Sequence, residues 1–80
     1  MTRDELMQQA VQSVLLARHS GVQRHKEAME EAQRVLTVER YQIKSLPPTA
    51  ADYDERTTAC RAVEDFLVAE ELRLQRLTGR

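Results

Sequence analysis

An 80-residue chain has room for one domain with a thin core, because a chain of this size buries only about 60% of the surface it exposes when unfolded. Its one cysteine, Cys60, excludes an internal disulfide scaffold and suits a reducing compartment. With 12 Lys and Arg against 13 Asp and Glu the net charge is −1, so no bulk field draws the chain to a polyanion.

At the N-terminus, Met1-Thr-Arg-Asp-Glu5 is acidic early, and Leu6 to Ala17 is interrupted by Gln8, Gln9, Gln12 and Ser13. That is not the pattern of a secretory leader. No apolar run approaches the roughly 18 residues of a membrane span, and the expected location is the cytoplasm. Thr2-Arg-Asp-Glu5 has the form of a capping box, with Asp4 and Glu5 at the positive end of the helix that follows.

Apolar residues then recur in sevens: Leu15, Val22, Met29, Leu36 and Ile43 form an unbroken row. A companion row, Val11, Arg18, His25, Ala32, Glu39 and Leu46, is half polar, and Ala28 and Val35 flank the seam. A spacing of about 3.5 residues is the left-handed coiled-coil period. The row runs in phase through Gly21, which favours one long helix over about 3–46 with Gly21 as the place for a kink. Ser20-Gly-Val-Gln23 also has capping-box form, and its use would give three helices instead.

Pro47-Pro48 is the strongest break in the chain, since proline cannot continue a helix and restricts the residue before it. A turn at 47–49 precedes a second helix over about 50–78, starting at Thr49 or Asp52 and ending before Gly79. Its rows are Cys60, Leu67, Leu74 and Val63, Glu70, Leu77, with Ala59 and Phe66 beside them, and Arg73, Arg76 and Arg80 fall near its end. The expected fold is all-α and forms a single domain over 1–80. It is an antiparallel helical hairpin completed as a homodimeric helical bundle.

The unequal lengths carry the functional expectation. At about 1.5 Å per residue the first helix outruns the second by roughly 25 Å. That leaves Leu6, Met7, Ala10, Val11, Val14, Leu15 and Leu16 without an intrachain cover. Burying one such side chain is worth roughly 1.5–3 kcal/mol, so a second copy or another protein is expected over the stripe. Val68 and Leu72, four residues apart and off the seam, offer a second apolar patch.

Catalytic, cofactor and metal sites are not expected. His19 and His25, six residues apart, fall on different helical faces. Arg18, His25, Glu39 and Glu70 are seam polar residues, of the kind that fix register, and His25 is expected near Glu70 or Glu71. Cys60 reads as core facing Leu36, and two separated glycines cannot build a phosphate loop. The resulting expectation is a non-enzymatic protein-binding module, such as a small adaptor, inhibitor or chaperone-like regulator, acting through apolar helix faces. The alternative is a dimeric nucleic-acid-binding regulator using the outward Arg24, Arg34 and Arg40, although acidic residues are interspersed with the basic ones.

Overall fold

A computed structural model describes residues 3–78. They form three helices, α1 (Arg3–Ala17), α2 (Val22–Lys44) and α3 (Tyr53–Thr78), and the described residues contain no strand. The capping threonine Thr2, Gly79 and Arg80 lie outside the described residues. Asp4 and Glu5 in the first turn of α1, and Asp54 and Glu55 in that of α3, complement the positive helix ends. Among the described residues no helix is long and apolar enough to cross a membrane.

The expectation of one helix over about 3–46 is corrected. Tightened i→i+3 hydrogen bonds end α1: Arg18 N–H donates to Leu15 O, His19 to Leu16 O and Ser20 to Ala17 O. Gly21 then takes φ 101° and ψ 163°, a region that L side chains rarely adopt. Its carbonyl accepts the N–H of His25 at 3.0 Å, and α2 begins. The physical reason for the break is burial. Reversing the chain at Gly21 lays α1 back along α2, which covers an apolar face that a straight helix would leave in water.

The second connection is longer than the turn at 47–49, because α2 ends at Lys44 and α3 begins at Tyr53. Ser45 caps α2 with its N–H aimed at Gln42 O and Ile43 O. Ala50 N–H then bonds Pro47 O, and Tyr53 N–H bonds Ala50 O. Two prolines here cost nothing, since a turn needs fewer backbone donors than a helix.

Helix α2 is the shared wall, packing against α1 on one flank and α3 on the other. Side-chain pairs from His25 to Glu70 and from Glu39 to Arg56 show that α2 and α3 run antiparallel. Val14, Ala32, Leu36 and Leu67 are almost completely excluded from water, with Met7, Ala10, Met29, Ile43, Cys60, Val63 and Leu74 around them. Contacts between α1 and α3 are sparse, and the body measures 45 × 26 × 15 Å.

The N-terminal stripe is therefore covered within the chain over part of its length, against expectation. Met7, Ala10 and Val14 belong to the core, Val11 packs against it, and Leu15 is half-buried. Leu6 and Leu16 stay exposed, as do Val68 and Leu72. This contrast is measurable. Val14→Ala should lower unfolding free energy by about 2 kcal/mol, whereas Leu16→Ala, at a 69% exposed position, should change it by less than about 0.5 kcal/mol. Urea unfolding followed by circular dichroism reads both values, and equal effects would contradict the placement of α1.

Candidate functional site

Polar side chains enter the α2–α3 seam in two layers, two heptads apart on each helix. In the first layer Arg18, from the turn after α1, grips Glu70 of α3 with both arms of its guanidinium. Nε donates to Oε2 at 3.0 Å and Nη2 donates to Oε1. Oε2 also lies 2.9 Å from His25 Nε2. Side chains of both His25 and Glu70 are almost wholly buried. One carboxylate thus ties together the α1–α2 turn, the start of α2 and the last third of α3.

This arrangement sets the acid–base character of Glu70. The hydrogen bonds from Arg18, and after them the one from His25, hold its carboxyl below the ordinary glutamate range, although burial pulls the other way. An ionised carboxylate held between two donors is a fastening. It is poorly suited to accept a substrate proton, because its proton affinity is lowered and its lone pairs are taken.

The second layer joins Glu39 of α2 to Arg56 of α3. Arg56 Nε and Nη2 reach the two oxygens of Glu39 at 3.0 Å each, a bidentate pair buried on both sides. Gln42 Oε1 lies 3.4 Å from Arg56 Nη2, and Asp52 Oδ2 lies 3.7 Å from Nη1. The structure thus gathers Arg18, His25 and Glu70 at one end of the seam and puts Glu39 at the other. Arg56 is the residue that sequence reasoning missed. Its signal was present, for it stands one heptad before Val63 in the row that continues to Glu70.

Cys60 is buried, and that burial first, with the nearby Glu39 charge second, pushes its thiol up from the ordinary value. A protonated thiol is a poor nucleophile. His19 is exposed. Among the described residues no cluster of three His, Cys, Asp or Glu side chains is placed to hold a metal ion. The outward arginines are partly engaged: Arg34 bonds Glu31, and Arg40 pairs with Glu64.

Open surface lies in the grooves beside the seam. Between α1 and α3, Met7, Val11, Ala59, Ala62 and Val63 form an apolar floor flanked by Gln8, Gln9 and Gln12. Asp4, Glu5 and Glu55 line the same groove. A second groove between α2 and α3 holds Val68 and Leu72 beside Met29, Leu67 and Leu74, with Lys26, Glu30 and Glu71 along it. Comparison with known protein families, curated proteins and solved structures gives no match.

Two measurements test the seam. Because the folded-state pKa of Glu70 is depressed, its contribution is fully present above the unfolded glutamate value, about 4.3. It is lost as pH falls from there through the folded value. Glu70→Gln should therefore destabilise the protein at neutral pH and flatten the loss of stability below about pH 4. For the second layer, Arg56→Met alone should cost about 3–5 kcal/mol by removing the bidentate partner of the buried Glu39 charge. The double change Glu39→Leu with Arg56→Met should recover most of that loss. A double-mutant cycle showing simple additivity would rule the second layer out as a coupled pair.

Proposed function

We propose that the chain is a non-enzymatic protein-binding module, an adaptor, inhibitor or chaperone-like regulator. Its site is the groove between α1 and α3, and the occupant is a partner's amphipathic helix with a cationic end. The composition of that groove carries the reading: an apolar floor, small residues at Ala59 and Ala62, and the carboxylates of Asp4, Glu5 and Glu55 along it. Alanines let a backbone approach closely, and the carboxylates favour Lys or Arg at one end of the incoming helix. Val11 keeps part of the N-terminal stripe available here, whereas Met7, Ala10 and Val14 serve the core. Val68 and Leu72, both about half exposed, offer a second contact on the far side of α3.

The nucleic-acid alternative has less to work with, because Arg34 and Arg40 already face Glu31 and Glu64. Of the three arginines it calls on, Arg24 is the one that forms no ion pair among the described residues.

Ala62→Arg is the discriminating variant. Ala62 is exposed on α3, so the substitution leaves the core intact while filling the groove and placing a cation where the partner's should sit. Affinity capture from the native host lysate, with and without nuclease, should recover a protein partner that survives nuclease and is lost with Ala62→Arg. Recovery that vanishes with nuclease, or that is indifferent to Ala62→Arg, would overturn the assignment.

A further inference from the structure

The turn that reverses the chain at Gly21 has an open counterpart written into the same residues. Counting in sevens from Met7 gives Val14, Gly21, Ala28 and Val35. Met7 and Val14 are core residues of α1, and Ala28 and Val35 are the residues of α2 packed against that core. Were 18–21 helical, these positions would fall in one stripe along a single helix over 3–44. The buried faces of α1 and α2 are thus already in phase.

The register of the closed form supplies the second half of the argument. Leu6 and Met7 line a groove with Val35 and Val38. Nearer the turn, Ser13 and Ala17 line another with Arg24 and Ala28. Level positions on α1 and α2 are therefore arranged about Gly21 as their centre. Two open chains laid antiparallel about a two-fold axis through Gly21 would restore the same pairings. Met7 of one chain would lie level with Val35 of the other, and Val14 with Ala28. Where the two long helices cross, each presents a glycine, so no side chain obstructs the approach.

We infer that α1 is exchangeable between two copies of this chain: Gly21 is a hinge whose opening converts the closed monomer into a two-fold dimer in which each α1 covers the other copy's α2. The occupant of the interface is thus a second copy, and the surface is the Met7, Ala10 and Val14 face of α1. This inference does not depend on what fills the groove between α1 and α3.

The closed form depends on glycine for conformation and not for space. At φ 101° an L residue is strained, yet nothing lies within 4 Å of where a Cβ would be. Within a continuous helix, alanine is preferred to glycine. Gly21→Ala therefore penalises the closed turn and favours the open helix at once. A dimer contains two hinges, so a roughly tenfold preference per hinge raises the association constant about a hundredfold.

The experiment is sedimentation equilibrium of wild-type and Gly21→Ala chains over a concentration series. A pair of spin labels at Gln9 and Gln33 on a Cys60→Ala background, diluted into unlabelled copies, gives the intrachain distance. Gly21→Ala should sediment as a dimer with the two labels separated by about 36 Å, the length of 24 helical residues. A chain with four Gly and Ser residues inserted between Ser20 and Gly21 relaxes the turn and breaks the phase, and it should stay monomeric. The inference falls if Gly21→Ala remains a monomer, or if its dimer keeps the labels at the short separation of the closed fold. It falls equally if the insertion chain dimerises as readily, or if Gly21→Ala loses its helical signal, since an open helix accommodates alanine.

Discussion

The apolar face of α1 has to be kept from water, and α2 is the surface that does it. Met7, Ala10 and Val14 rest mainly on α2, since α1 and α3 meet only sparsely. Placing two helices against one makes α2 the most constrained element in the chain. It must be apolar toward α1, where Ala28 and Val35 share grooves with α1 side chains, and toward α3, where Met29 lies beside Leu67 and Leu74. The body stays thin, 15 Å in its smallest extent, and a thin body leaves grooves along both sides of the α3 helix. The same economy that hides the N-terminal stripe therefore creates the grooved surface for which a binding role is proposed.

Buried charge gives this small core its definition. Glu70 is fastened from two directions by Arg18 and His25, and Glu39 is gripped by Arg56. Ion pairs of this kind add little net stability over apolar residues of equal volume, because desolvation offsets most of the attraction. What they add is a penalty for every wrong arrangement, which an Ala- and Leu-lined seam alone would not impose. The contact from Arg18 has a further effect. It ties the α1–α2 turn to α3, so the position of α1 is felt at the far end of the last helix.

Much of this was legible in the residues, and each failure has a physical cause. Pro47-Pro48 announces a break because proline lacks a donor and restricts its neighbour. The two seam rows on α2 and α3 announce which faces are buried. Periodicity, however, reports the face of a helix and is silent on the path of the axis. Leu15 to Val22 keeps phase whether the chain runs straight or folds back at Gly21, so the row could not decide between one helix and two. Arg56 escaped for a different reason. Its charge placed it among interspersed surface residues, although its spacing from Val63 put it in the seam. At buried positions spacing outweighs polarity whenever a partner of opposite sign is available across the interface.

The two polar layers also bear on how α2 and α3 respond to being pushed along each other. An all-apolar coiled coil can creep by whole heptads, since each step trades one leucine contact for another. Here a displacement of one heptad sets Arg56 or Glu70 against Ala32 and strands it. Two heptads set Glu39 against Glu70 in one direction, and in the other take His25 and Arg56 away from their carboxylates. Sliding is uphill both ways, with no second resting place nearby. Under shear, this pair of helices behaves as a keyed joint that holds or separates and does not ratchet.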